Sequence, residues 1–308
     1  MTERKNKMKV LCFGSLNIDY TYKVEHFVKK GETLSSSDLK IFSGGKGLNQ
    51  SVALSKAGAE TFHAGAIGKE GKFLVEELLS AGVNTDFVEV NEKISTGHAI
   101  IQNSVDGDNC ILLFGGANRS ITRERAEKVL SNFEKGDVLV LQNEISELEY
   151  ILSTGKEKGM KVVLNSSPID EKLLKMPLEK ADILILNEVE AGRILGKEVF
   201  DGEKTAEELA EKFPETDIVL TMGEKGSFFK NSEKTVFQPA FKVKAVDTTA
   251  AGDTYTGYFV AGITEGMEPE KAMEFAAKAS AIAVTKPGAS PSVPERAEVE
   301  AFVKEVAE

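Results

Sequence analysis

The sequence predicts an α/β fold: a mostly parallel sheet covered by helices on both faces, with a small additional sheet attached. Three observations predict it. Apolar, β-branched-rich runs recur at 8–14, 137–142, 161–165, 182–187 and 217–222. Helix-period segments lie between several of them, at 119–133, 145–159 and 203–213. Two other stretches, 17–42 and 95–114, alternate apolar and polar residues with period two. Continuous apolar strands alternating with helices mark strands buried on both faces, whereas period-two alternation marks strands with one face exposed.

Taken in order, the first apolar run (MKVLCFG) leads into Ser15 and Asn17, and the later runs end at Glu144, Asn165, Asn187 and Thr221. In an open parallel sheet the carboxyl ends of the strands share one edge, where ligands bind. One polar residue after a strand is ordinary loop chemistry; five in the same position point to a binding edge. The stretches 17–42 and 95–114, the second carrying the turn DGDN, read as antiparallel strands inserted between core segments. They are expected to form a small lid over the binding edge, the alternative being an extension of the main sheet. The division is then 1–16, 43–94 and 115–308 for the core, and 17–42 with 95–114 for the lid.

Bulk properties narrow the function classes. With 308 residues, 41% hydrophobic and 28% charged, the chain can bury the core of one large α/β domain with a small appendage. A net charge of −11 argues against a nucleic-acid partner, although helix N-termini, a metal ion and a few lysines can still hold a small anion. No run approaches the roughly 18 apolar residues of a membrane span, and the N-terminal stretch is unlike a signal peptide. The two cysteines, Cys12 and Cys110, show no CxxC spacing and the three histidines no HxxxH spacing. A cytoplasmic protein without a disulfide framework or histidine metal site is expected.

Two glycine-rich stretches carry the chemistry. In SGGKGLNQSVALSKAGA (43–59), Gly44, Gly45 and Gly47 surround Lys46 before an amphipathic segment with Gly58 as its stop. Bare backbone at a helix start lets amides approach a polar ligand closely. The chain contains neither the GK[ST] of a Walker loop nor a GxGxxG fingerprint. In VDTTAAGDTY (246–255), small residues precede Asp253 and an apolar helix. On local evidence the commonest fate of such an aspartate is to cap the helix. The alternative is a cradle of amides for developing negative charge, with Asp253 as base beside it, the pairing that phosphoryl transfer needs. Past another strand end, Asn187 and Glu190 in NEVE could order a hydrated Mg²⁺ or simply form a solvated helix start. The TMGEKG turn (221–226) could be a plain hairpin or a nucleotide edge.

Together GSLNIDY, GGKGLNQSVALSKAGA, DTTAAGDTYTGYFVAGI and PGASPSVP, in this order and spacing, resemble the ribokinase (PfkB-type) family of carbohydrate kinases over essentially the whole chain. The resemblance implies a three-layer α/β sandwich with a small β-sheet lid, and transfer of the ATP γ-phosphate to a primary hydroxyl. D-ribose is the expected substrate; fructose, deoxyribose, 2-keto-3-deoxygluconate or a nucleoside are the alternatives within the family. A non-catalytic sugar- or nucleotide-binding regulator is the alternative outside it.

The resemblance also implies roles residue by residue. Asp253 matches the catalytic base, and the amides of Ala250, Ala251 and Gly252 the anion hole. Asn17, Asp19, Gly44, Gly45, Lys46, Asn49 and Glu144 match positions that hold the sugar. Asn187, Thr221, Gly223 and Gly226 match the nucleotide side, and Glu190 a Mg²⁺-linked acid acting through water. Asp247, Thr249, Ala283, Lys286, Gly288 and Ser292 match a monovalent-cation loop, so K⁺ is expected beside ATP and Mg²⁺. Exposed lid edges suggest a homodimer. Leu48 stands where alanine is common, which implies an altered pocket wall, and NSSP (165–168) replaces the more usual NPAP.

Overall fold

A computed structural model of the chain describes residues 8–302; the outermost parts of the assigned core, 1–7 and 303–308, lie outside the described residues. The strands are β1 (Lys9–Phe13), β2 (Asn17–Val24), β3 (Asp38–Gly44), β4 (Glu60–Gly68), β5 (Asn84–Asn91), β6 (Gly97–Ser104), β7 (Asn109–Phe114), β8 (Val138–Gln142), β9 (Lys161–Asn165), β10 (Ile183–Asn187), β11 (Asp217–Thr221), β12 (Ser227–Lys230) and β13 (Thr235–Gln238). The helices are α1 (Lys46–Lys56), α2 (Lys72–Ser80), α3 (Arg123–Leu130), α4 (Leu148–Glu157), α5 (Glu188–Leu195), α6 (Gly202–Lys212), α7 (Ala251–Thr264), α8 (Pro269–Ala283) and α9 (Arg296–Glu300).

The five apolar runs become β1, β8, β9, β10 and β11, all parallel, inside a sheet ordered β13-β12-β11-β10-β9-β8-β1-β4-β5. Successive side chains of a strand point to opposite faces, so each run serves two cores. Val10, Cys12, Val140, Val163, Ile185 and Val219 pack with α1, α2, α7, α8 and α9. Leu11, Phe13, Leu141, Leu164, Leu186 and Leu220 pack with α3, α4, α5 and α6 on the other face. This makes the three-layer sandwich. Among the described residues no helix is long and apolar enough to cross a membrane.

The period-two stretches form a second, four-stranded sheet of order β3-β2-β6-β7. Within each stretch the pairing is antiparallel, as expected, but β2 and β6 join the two hairpins in parallel, with Asn17 opposite Gly97 and Val24 opposite Ser104. That junction makes the small sheet mixed, while each stretch is antiparallel within itself. Both hairpins leave the core in the same direction, so their inner strands run side by side the same way. β3 also runs two residues past the 17–42 stretch, to Gly44. Leu48 is fully buried in the core with Val52 and Tyr258, so it is no pocket wall; α1 turns that side chain inward.

Candidate active site

The carboxyl ends of the parallel strands lie together. Gln142 pairs with Asn165, Asn165 with Ile185, and Asn187 with Thr221. Two helices start above this edge and meet. α1 begins at Lys46 after Gly45, whose φ of 94° suits glycine and whose Cβ would stand 2.9 Å from Ser15 O. A Cβ on Gly44 would collide with the Asp19 carboxylate, so bare backbone is what lets Asp19 reach across from β2.

α7 begins at Ala251 with Ala250 as N-cap, and its cap carries no side-chain hydrogen bond. Asp253 therefore does not cap the helix, contrary to the local expectation. Its buried carboxylate is drawn sideways by α1: Asn49 Nδ2 donates to Oδ2 at 3.0 Å and Gln50 Nε2 to Oδ1 at 2.9 Å. Such charge-assisted bonds are stronger than neutral ones. The Ala251 amide donates to Thr248 O at 3.2 Å, whereas the amides of Ala250, Gly252 and Asp253 donate to no protein group among the described residues. Gly252 is exposed, and a Cβ there would meet nothing within 4 Å. The helix start thus presents uncovered N–H groups beside one anchored carboxylate.

The other acids stand around α1. Glu144 Oε2 accepts from the Lys46 amide at 3.1 Å and from the Ser15 hydroxyl. Asn17 is buried, its Oδ1 accepting from Asn118 Nδ2 at 2.7 Å. Burial, with Glu144 adding repulsion, pushes the Asp19 carboxyl up to about 7. Burial alone would lower Lys46, but Asp253, Glu144 and Glu190 outweigh it and hold the ammonium above its ordinary range. Lys46 is therefore a cation throughout the neutral range, among carboxylates that it balances.

Asn187 and Glu190 form neither a solvated nor an open helix start. Asn187 Oδ1 accepts from the Glu190 amide at 2.9 Å, and Glu190 Oε2 accepts from the Asn187 amide at 3.0 Å, a closed capping box. Ser166, from the altered NSSP run, adds a hydrogen bond to the same oxygen at 3.1 Å and leaves Oε1 over. No group of three or more His, Cys, Asp or Glu suited to a metal occurs among the described residues. Thr221 ends β11, and Gly223 and Gly226 shape its hairpin into β12.

Asp247, Thr249 and Gly288 are brought together. Thr249 donates to Asp247 Oδ1 from both N (2.9 Å) and Oγ1 (2.5 Å), and the Gly288 amide to Oδ2 at 2.9 Å. Burial would raise the Asp247 carboxyl, but these donors hold it below its ordinary range. Ala283 ends α8 nearby in sequence, its carbonyl accepting from the Lys286 amide. The Lys286 ammonium pairs with Glu298 at 2.8 Å, so only its backbone is available to the loop. Ser292 is buried and donates to Ala289 O at 2.7 Å.

Gln50, Gln142, Asn118 and Ser166 lie within or beside the sequence motifs, but only the structure gives them a role at the site. Gln50 lies inside the quoted glycine motif, and its place beside Asn49 is the one signal that could have marked it.

This geometry belongs to a known class. The family model "pfkB family carbohydrate kinase" matches residues 7–296. The ribokinase of Haemophilus influenzae is 35% identical over 301 residues, covering 94% of this chain and 97% of that protein. A deoxyribokinase of Salmonella typhi is 32% identical, covering 93% and 96%. Among solved structures, Arabidopsis thaliana ribokinase complexed with ribose and ATP superposes with a TM-score of 0.84 at 31% identity, over 96% of this chain and 97% of that one. The chain belongs to the pfkB family of carbohydrate kinases. It is an ATP-dependent sugar phosphotransferase, built on the sandwich and small sheet described above.

Proposed function

We propose that the protein phosphorylates D-ribose at its primary hydroxyl. The observation that carries this reading is the Asp253 carboxylate, anchored by Asn49 and Gln50 beside the uncovered first-turn amides of α7. Asp253 takes the hydroxyl proton, the freed oxygen attacks the γ-phosphorus of ATP, and the bond to the β–γ bridging oxygen breaks to release ADP. The amides around Ala250, Ala251 and Gly252 stabilise the charge on the transferring group. Ala251 contributes less than its neighbours while its amide stays with Thr248. A carboxylate suits the base role because it is ionised at neutral pH.

Asn17, Asp19, Asn49, Lys46 and Glu144, with the bare backbone of Gly44 and Gly45, hold the sugar, whose hydroxyls need short side chains that donate and accept. The small sheet closes over it as a lid and excludes water, which limits idle ATP hydrolysis. Asn187, Thr221, Gly223 and Gly226 face the nucleotide. The free Oε1 of Glu190 fits a water of hydrated Mg²⁺, an ion that usually keeps several waters. Mg²⁺ bound there neutralises phosphate charge. The oxygen donors of Asp247, Thr249, Ala283, Lys286, Gly288 and Ser292 suit a K⁺ ion, which would stiffen the loop that leads into Ala250.

A second copy of the chain is the partner proposed for the lid. β3 and β7 are its edge strands, and Leu39, Ile41, Ile111, Leu112 and Phe114 are exposed on them. Deoxyribose is a second substrate reading, supported by the deoxyribokinase relative. The test is ADP release over a panel of pentoses, deoxyribose, hexoses, keto-sugars and nucleosides. D-ribose is expected to give the highest kcat/KM; a higher value for deoxyribose or a nucleoside overturns the assignment.

A further inference from the structure

Beneath Asp253, α1 and the ends of β1 and β8 enclose a layer of polar side chains within otherwise apolar packing. Gln50 and Gln142 are both fully buried. While Gln50 Nε2 donates to Asp253, its Oε1 accepts from Gln142 Nε2 at 2.7 Å. The same Gln142 nitrogen points at Cys12 Sγ, 3.5 Å away, and the Cys12 thiol in turn donates to Gly47 O at 3.4 Å. Gln142 Oε1 accepts no hydrogen bond and lies over the bare Cα of Gly14, where a Cβ would collide with it.

The direction of this chain follows from its upper end. An ionised carboxylate only accepts, so it takes the nitrogen of Gln50. That turns the oxygen of Gln50 toward Gln142 and requires a nitrogen there. Turning the Gln142 amide over would set two amide oxygens against each other. The unpartnered Gln142 oxygen is thus a consequence of serving Asp253, and leaving a buried acceptor unmade is destabilising. A layer that served stability alone would be apolar or fully satisfied.

The layer carries no charge of its own. Burial pushes the Cys12 thiol up to about 11. It pushes His63, bonded to Ser51 at 2.7 Å, down to about 3. The charged groups that interact with Asp253 or share its counter-charge are Lys46, Glu144 and Glu190.

We propose that Gln50 and Gln142 are positioning residues for the phosphoryl transfer. Their two-amide relay fixes the rotation of the Asp253 carboxylate, so that its remaining lone pairs meet the hydroxyl that loses its proton. This rests on the reading of Asp253 as the base.

The test compares kcat and KM for D-ribose and ATP in Q50L, Q50E, D253N and the D253N/Q50L double variant. Q50L is expected to lower kcat about 10- to 100-fold with KM for ATP unchanged, the range usual for a group that orients a catalytic one. In the D253N background Q50L is expected to cost nothing further. Q50E keeps the shape of glutamine and guards against a folding failure. Protonated, it donates to Asp253 as the amide does; ionised, it repels it, since adjacent carboxyls resist joint ionisation. Its kcat is expected near wild type at low pH and to fall as pH rises, a limb the wild type lacks. A wild-type kcat for Q50L, an equal loss in the D253N background, or a Q50E profile parallel to wild type overturns the positioning role alone. A wild-type kcat for D253N overturns the base reading and the relay with it.

Discussion

α5 and α7 start at the same edge of the sheet, each with an acid at its third position, and use that acid in opposite ways. In α5, Asn187 caps the helix and Glu190 closes the box from inside, with Ser166 adding one bond from outside the helix. In α7, Ala250 offers no acceptor at the N-cap, and Asn49 and Gln50 of a different helix take the carboxylate of Asp253. The forgone cap costs α7 about 0.5–2 kcal/mol. Burial of Phe259 alone, fully enclosed in that helix, offsets it with roughly 1.5–3 kcal/mol. The difference shows what decides the fate of an acid at this position: the N-cap residue and the neighbouring helix, more than the acid itself.

The contrast can be broken most severely at the acids. Asp253→Asn is expected to lower kcat by about 10²–10⁴, the usual worth of a general base, with little change in Tm. Glu190→Gln can still close the capping box. It is therefore expected to keep its Tm and to move the Mg²⁺ concentration for half-maximal rate upward, read from a metal titration.

Exchanging the caps sharpens the comparison further. Ala250→Ser gives α7 the acceptor it lacks and is expected to stabilise the protein by about 0.5–2 kcal/mol in urea unfolding, while lowering kcat because a first-turn amide is now occupied. Asn187→Ala is expected to cost about the same amount of stability at α5.

The smallest effect concerns pH. The Asp19 carboxyl sits at about 7 against an ordinary 3.8. The folded protein therefore binds more protons than the unfolded chain between those values, and Asp19 withdraws stability as pH rises through that window, with no further change above 7. In the folded protein its charge appears only around the upper end of that window, so KM for D-ribose is expected to fall between pH 6 and 8. Asp19→Asn should flatten that part of the profile.

Much of this was legible in the sequence because the relevant signals are local. Apolar runs ending in Ser15, Glu144, Asn165, Asn187 and Thr221 gave the parallel strands and their common edge, and Gly44 and Gly45 marked backbone that has to stay bare. What was hidden depends on partners far along the chain. The parallel pairing of β2 with β6 joins residues about eighty positions apart, and no periodicity encodes it. Ala250 and Asp253 read locally as a capped helix start, because the donors that draw the carboxylate away sit some 200 residues earlier. Gln142 looked like the end of an apolar strand until Gly14 and Gln50 were seen around it. Leu48 read as a pocket wall because its side of α1 is set by packing against α7.

The most direct test of the reaction centre is a rapid-quench single turnover with D253N, after calorimetry has shown that D-ribose and an ATP analogue both bind it. The expected result is near-wild-type binding with γ-phosphate transfer slowed by about 10²–10⁴. Transfer at the wild-type rate from the same bound complex would contradict the assignment of Asp253 as the base.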